Sequence, residues 1–372
     1  MPFLAPALLF EEVACKHRED LLHRVLRQKV IGIPQALRVL EKWQIRGLAV
    51  RVLQSHLHLC WLLRCSPNQL EEMINNPMYR EAVIRKKSGG VRRLQIPHKE
   101  LKKWQGSLQF FLQSFYQIIR PSEVHGFCAQ FTPYRQGVPN RSPIAENALP
   151  HVGKKWVLNI DLADFFPGIT ARQVREMFIS LLKWPEDLAN LATLLCTYRG
   201  TLPSGAPSSP VISNLVFWET DQLIRQLCKQ QGVQYTRYAD DLTFSGEQEL
   251  SSDFCLDVIC ILQAQGFRVN EKKVRMKRAG RRQMVTGLVV NDRVNVPRDL
   301  MKRVRAMLFD VGKNGVVIAS FRHFREVSTE REKLFLRRLW GYIQFIGQIR
   351  GAGDPKYRRF RKAFLALGYY VS

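Results

Sequence analysis

Three aspartates offer the chemistry this sequence can perform. Asp161 follows the short apolar run Lys155–Ile160, and Asp240 and Asp241 sit in Tyr238-Ala239-Asp240-Asp241, inside the alternating aromatic stretch Gln234–Ser245. Mg²⁺ takes hard oxygen ligands and prefers few carboxylates, leaving sites for waters and substrate phosphates. A carboxylate at a strand end, faced by more on a neighbouring turn, can hold two such ions for in-line attack of a hydroxyl on an α-phosphate. Neither piece decides alone. An Asp after an apolar strand is common, and an isolated Asp-Asp turn is more often a solvated hairpin tip. The β-formers flanking Asp240-Asp241 shift that balance, because they force two adjacent acids into one partly buried turn that a metal would neutralise.

The elements that must position these acids can be read around them. Residues 1–65 are helical in pattern, with apolar positions at three-to-four spacing and a break at Gly32-Ile33-Pro34. Ser66-Pro67-Asn68-Gln69 is a helix start, with Ser as N-cap, Pro at the first position and Gln at the capping-box position. Ile84–Pro97 reads as a hairpin with a basic tip through Ser88-Gly89-Gly90, and a helix is expected over Glu100–Ile119. Val285–Asn295 is β-like, and helical periodicity returns after Pro297, notably over Arg331–Ile346. The order of elements predicts an α+β domain with an antiparallel sheet and a helical appendix.

Composition narrows the partner. Lys and Arg number 57 against 32 Asp and Glu, a net charge of +25, which attracts a polyanion and above all nucleic acid, the competing readings being a membrane-surface protein or a merely soluble basic one. Thirteen of the basic residues lie between Arg268 and Arg305, opposed only by Glu271, Asp292 and Asp299, as in a phosphate-contacting surface on a folded element. The eight Cys form no CxxC pair, and His56, His58, Cys60 and Cys65 sit in a helix-like stretch that reads as core rather than as a zinc site. No uncharged apolar run reaches the ~20 residues a membrane span needs, and free cysteines without an export signal point to the cytoplasm.

Four motifs in chain order carry a family resemblance: the Lys86/Ser88-Gly89-Gly90/Arg92 hairpin, strand-end Asp161, the loop Leu202-Pro203-Ser204-Gly205-Ala206-Pro207-Ser208-Ser209-Pro210, and Tyr238-Ala239-Asp240-Asp241. Together they resemble the reverse transcriptases, right-hand polymerases with fingers, an antiparallel palm sheet and a helical thumb. Asn147-Ala148-Leu149-Pro150-His151, Val285-Thr286-Gly287, His125-Gly126-Phe127 and Val269-Asn270-Glu271-Lys272-Lys273 are similar to retron reverse transcriptases in particular. The resemblance implies a helical extension over 1–65, fingers with part of the palm over 66–150, palm over 151–292 and an RNA-binding thumb over 293–372. It implies two Mg²⁺ ions on Asp161, Asp240 and Asp241. Nucleotide contacts would come from Lys86, Arg92, Leu162, Ser204 and Gly205, with Phe166 as the aromatic gate against a ribose 2′ hydroxyl. RNA contacts would come from Asn147, His151, Arg281, Arg282, Val285, Thr286 and Gly287.

The implied activity is RNA-directed DNA synthesis on a cognate structured noncoding RNA. It would start from an internal guanosine 2′ hydroxyl and yield multicopy single-stranded DNA for antiphage defence. The implied partners are that RNA and its RNA–DNA product, dNTPs, a separately encoded effector protein and a higher-order oligomer, with no membrane. Ser204 stands where many reverse transcriptases carry Gln, Val274 where Thr is frequent, and Cys128–Asn140 reads as an insertion. The alternatives are an intron maturase, a diversity-generating or abortive-infection enzyme, or a non-catalytic RNA-binding scaffold that keeps the fold.

Overall fold

The computed structural model describes residues 41–85, 89–129, 142–324 and 329–368. The first part of the expected helical extension, residues 1–40, lies outside them. Its remainder forms α1 (Lys42–Arg51) and α2 (His56–Leu63), followed by α3 (Pro67–Asn75). The α3 start follows the sequence reading: Ser66 accepts from the Gln69 amide, and the Gln69 side chain accepts from the Ser66 amide. Strands β1 (Tyr79–Arg85) and β2 (Val91–Pro97) form the basic hairpin, and α4 (Lys99–Ile119) is a long amphipathic helix behind it.

Helix α5 (Pro143–Ala148) leads into β3 (Trp156–Asp161). Five helices follow: α6 (Phe165–Gly168), α7 (Ala171–Ser180), α8 (Glu186–Cys196), α9 (Ser209–Val216) and α10 (Trp218–Gln230). Next come β4 (Gln234–Tyr238), β5 (Asp241–Gly246), α11 (Ser252–Ala264) and β6 (Arg275–Arg278). The central sheet is antiparallel, in the order β4-β5-β3-β6. β3 therefore lies inside the sheet, which explains its near-continuous apolar sequence: Val157, Leu158 and Ile160 are all buried.

The region from Val285 is less regular than its pattern predicts. Met284–Val285 (β7) and Leu288–Val289 (β8) pair around a turn in which Thr286 (φ 48°) and Gly287 (φ 81°) both have positive φ, as the tight two-residue hairpin requires, and beyond them a single bridge joins Val289 to Asn295. The Asn291 side chain ties this segment to the preceding one, its Nδ2 donating to the Ala279 and Arg281 carbonyls and its Oδ1 accepting from the Gln283 amide. Helices α12 (Arg298–Phe324, broken at Gly315), α13 (Thr329–Arg350) and α14 (Pro355–Leu365) are the last elements among the described residues.

Two apolar cores result. One joins α2, α4, the central sheet and α7–α11 through residues such as Leu108, Phe178 and Phe244. The other joins α12–α14 to Val285, Leu288 and Val290, and also reaches Ala145, Ala148 and Val157. The sheet thus touches both cores.

Helices α1 and α4 meet closely at Gly47, where an added Cβ would stand 2.7 Å from the Ser114 carbonyl. Gly47→Ala gains roughly 1 kcal/mol of helix propensity. Overpacking of about 1–3 kcal/mol opposes it. The variant should therefore melt below wild type in a thermal scan, and a higher Tm would contradict this helix contact.

Candidate active site

Antiparallel pairing of β3 with β5 sets Asp161 directly opposite Asp241. The β4–β5 connection is the two-residue turn Ala239-Asp240, with Tyr238 paired to Asp241, so Asp240 sits at the tip beside the other two acids. Ala239 is left-handed at φ 60°, and the Leu162 amide donates to the Asp240 carbonyl at 3.0 Å, fixing the turn to the end of β3. On the other side, the Asn270 amide donates to the Asp161 carbonyl at 2.8 Å.

The electrostatics reflect this crowding. The Asp241 carboxyl is pushed up to about 7, by burial first and then by the charges of Asp240 and Asp161. Asp240 is raised too, mainly by burial, with Asp161 adding to the rise while Lys273 and Arg92 oppose it. Lys273 is the nearest counter-charge: its Nζ lies 2.8 Å from Asp161 Oδ2, which also accepts a long bond from Asn270 Nδ2 at 3.4 Å.

Among the described residues no three acidic, imidazole or thiol groups converge closely enough to hold a metal ion as they stand. The donor chemistry nevertheless fits a hard divalent cation. Three carboxylates stand at one end of the sheet, and two of them are raised above their usual range by burial first and then by a repulsion that a cation would relieve. The ion would take over the neutralising role that Lys273 plays at Asp161.

The flanking loop and hairpin close around this edge. Gln95 of β2 accepts from the Ser204 amide, and a Cβ on Gly205 would meet the Gln95 carbonyl, so the Ser204-Gly205 loop lies directly on β2. Arg92, on the same strand, is exposed and near enough to act on Asp240. Phe166 is half-buried between Phe165 and Phe127, with ring centroids 5.5 and 5.7 Å away. The Leu162 side chain is core, so only its backbone faces the turn. Lys86 lies outside the described residues.

The sequence comparisons agree with this geometry. Residues 84–290 match the family described as reverse transcriptase (RNA-dependent DNA polymerase). The chain belongs to the reverse transcriptase family. Among curated proteins it is similar to the retron Ec86 reverse transcriptase of Escherichia coli, 31% identical over 73% of this chain and 82% of that one. It is 35% identical to the retron Mx65 reverse transcriptase of Myxococcus xanthus and 34% to the retron Mx162 enzyme of the same organism. It spans 57% and 51% of those two longer relatives. A solved telomerase structure from Candida albicans is similar at TM-score 0.42 and 10% identity, over 80% of this chain and 64% of that one. This is a retron-type reverse transcriptase with an α+β right-hand polymerase fold.

For this reverse transcriptase, several residues expected at an RNA surface are elsewhere. His151 is fully buried: its ring nitrogens lie 2.7 Å from Ser245 Oγ and 2.8 Å from Thr236 Oγ1, linking β5 to β4. Burial above all drives its pKa down to about 3, so the ring is neutral at physiological pH. Asn147 is fully buried, and its carbonyl accepts from Thr236 Oγ1. Val285 is core, while Thr286 donates its hydroxyl to the Ile144 carbonyl and so ties the Val-Thr-Gly turn to α5. The side chains of Asn147, His151 and Val285 are therefore buried rather than at a surface: His151 bridges two strands of the sheet, and Val285 packs in the core shared with α12–α14. Gly287, Arg281 and Arg282 are exposed, though Arg282 pairs with Asp299 at 3.2 Å.

Lys273 and Phe127 stand in the sequence only as members of the Val269–Lys273 and His125–Phe127 motifs, with no role given to either, and Gln95 only as part of the hairpin; the fold sets Lys273 on Asp161, Phe127 beside Phe166 and Gln95 on the Ser204 amide.

The raised Asp241 pKa makes a signed prediction for the metal-free protein. The folded value lies above the unfolded one, so the associated stability is present at low pH and is lost as pH rises through about 7. Asp241→Asn, which stays neutral throughout, should therefore raise Tm by a few degrees at pH 8 and by clearly less at pH 5, where the folded-state carboxyl is still protonated. Equal effects at both pH values in chelator-treated protein would contradict the repulsion.

Proposed function

We propose that this chain is an RNA-directed DNA polymerase whose chemistry runs on two Mg²⁺ ions held by Asp161, Asp240 and Asp241. The observation that carries the reading is the cross-strand pairing of Asp161 with Asp241, with Asp240 in the adjoining turn. When bound, the ions lower the pKa of the attacking 3′ hydroxyl and offset charge on the phosphates. The chain's own groups do the rest. Arg92, with Lys86, grips the triphosphate, Arg being suited to bidentate phosphate contact. Ser204 and Gly205 line the nucleotide pocket through their backbone. The Phe166 ring fills the space a ribose 2′ hydroxyl needs. Lys273, released from Asp161 when metal binds, becomes free to meet phosphate oxygens.

In this reading residues 66–150 supply the fingers, 151–292 the palm and 293–372 a thumb that grips RNA, with Arg281 and Arg282 among the phosphate contacts. The relatives' retron names support a finer proposal. The enzyme copies part of a cognate structured noncoding RNA into multicopy single-stranded DNA, starting from an internal guanosine 2′ hydroxyl. It works in the bacterial cytoplasm with a separately encoded effector, in defence against phage. No helix among the described residues is long and apolar enough to cross a membrane.

Three outcomes test these statements. Asp161→Asn and Asp240→Asn should each lower deoxynucleotide incorporation by about a thousandfold or more while RNA binding persists. Primer extension at the wild-type rate would remove the metal assignment. Phe166→Ala should raise ribonucleotide use relative to deoxynucleotide, read as a ratio of kcat/KM values, whereas an unchanged ratio makes Phe166 simply core. Sequencing nucleic acid that copurifies with the protein should return one RNA joined to DNA through a 2′,5′ linkage that debranching enzyme cleaves. Unbranched products from arbitrary primers would leave the polymerase and dismiss the retron chemistry.

A further inference from the structure

The catalytic turn contains a strained residue, and a buried ion pair is attached to it. Arg237, two residues before Ala239, is fully buried together with its partner Asp221 on α10. An arginine buried in a strand has to satisfy a guanidinium that carries five donors. Here Nε and Nη2 donate to the two Asp221 oxygens at 2.8 and 2.6 Å. Nη1 donates to Asn214 Oδ1 at 3.0 Å and to the Ala239 carbonyl at 3.1 Å. The guanidinium also stacks over the Phe217 ring, 4.3 Å from its centroid.

The same residue organises the neighbouring backbone. Its amide donates to the Glu123 carbonyl at 2.9 Å, and its carbonyl accepts from the His125 amide at 3.0 Å, so segment 123–125 runs along the edge of β4. Gly126 then lies against the Tyr238–Ala239 peptide, where any Cβ would overlap the Ala239 amide nitrogen, and its carbonyl accepts from Asn214 Nδ2 at 3.0 Å. The loop of the turn is closed: Asp221 holds Arg237, Arg237 holds the Ala239 carbonyl, and Asn214 joins Arg237 to the glycine beneath the turn.

We infer that Arg237, Asp221 and Asn214 are positioning residues that hold Ala239 in its left-handed conformation and so set where Asp240 and Asp241 stand. None of the three side chains is aimed at a substrate; each acts through the turn. A left-handed conformation at a residue other than glycine persists only when its surroundings over-determine it, and the Arg237 bond to the Ala239 carbonyl is the direct restraint. The pair does more than stabilise the core. A purely structural ion pair would need Asp221 alone, whereas this guanidinium gives its remaining donors to the turn and to the residue beneath it.

The inference rests on the polymerase reading for its kinetic test only, and a second readout is independent of activity. The Leu162 amide bonds the Asp240 carbonyl, so its hydrogen exchange reports whether the turn is docked on β3. Arg237→Lys keeps the charge and loses the fork. It should lower kcat on a pre-annealed primer–template about a hundredfold, with KM for dNTP and duplex affinity within about threefold, since small misplacements of reacting groups reach that size. Exchange should rise in the peptide containing Leu162 and in 234–246, with the α12–α14 peptides unchanged. Asn214→Ser leaves the ion pair intact and covers the case in which Arg237→Lys does not fold; it should lower kcat about tenfold with the same local exchange pattern. Adding Ala239→Gly, which reaches positive φ without strain, should recover part of the Arg237→Lys loss. Wild-type kcat and wild-type Leu162 protection in folded Asn214→Ser would overturn the inference, as would an exchange increase spread evenly over the chain. A wild-type chain without polymerase activity would instead dismiss the polymerase reading, with the exchange readout still deciding the clamp.

Discussion

The rest of the structure answers one electrostatic constraint: two carboxylates stand directly opposite each other across a β pair, with a third in the adjoining turn. Like charges in that relation destabilise a sheet, and burial enlarges the penalty. Burial and repulsion lift Asp241 to about 7, far above the ordinary range of an aspartate. A fold meant only to be stable would place other residues there. Lys273 lies against Asp161, Arg92 reaches Asp240 through space, and the remaining imbalance is what makes the site receptive to a divalent cation.

Holding the acids in place takes a rigid frame, and the frame is polar as well as apolar. β3 is packed on both sides by strands and carries almost only apolar side chains, so its end cannot shift without disturbing the core. The β4–β5 hairpin is fastened at two depths. Neutral His151 links Thr236 to Ser245 away from the turn, and Arg237 secures the turn itself. Tyr235 adds a hydroxyl bond to Asp221 at 2.8 Å, which keeps the buried carboxylate fully engaged. Polar networks of this kind specify one arrangement when every member is satisfied.

The sequence made the acids legible because their chemistry is local. An apolar run ending in Asp, and an aromatic alternation interrupted by Ala-Asp-Asp, each fix a strand end or a turn without reference to the rest of the chain. The Ser66 cap and the Ile84–Pro97 hairpin were readable for the same reason. Long-range polar contacts were not. Only the family resemblance pointed His151 and Asn147 towards RNA, and the residues that bond the His151 ring and the Asn147 carbonyl, Thr236 and Ser245, lie 85 to 94 positions away. The basic block from Arg268 read as one phosphate-facing surface, but Arg268 pairs with Asp164, Lys273 with Asp161 and Arg282 with Asp299. Only folding shows which charges of the block are already spent, and these first two reach back to the strand end that bears Asp161.

The strand-end acids are proposed to form a divalent-metal site whose ion takes over from Lys273 at Asp161. A structure of the protein with Mn²⁺, a terminated primer on its template and a matched dNTP tests it most directly, because Mn²⁺ is located by its anomalous scattering. Two peaks are expected, bounded by Asp161, Asp240, Asp241 and the triphosphate, with Lys273 withdrawn from Asp161. Bound nucleotide with no peak at these carboxylates, and Lys273 still on Asp161, would contradict it.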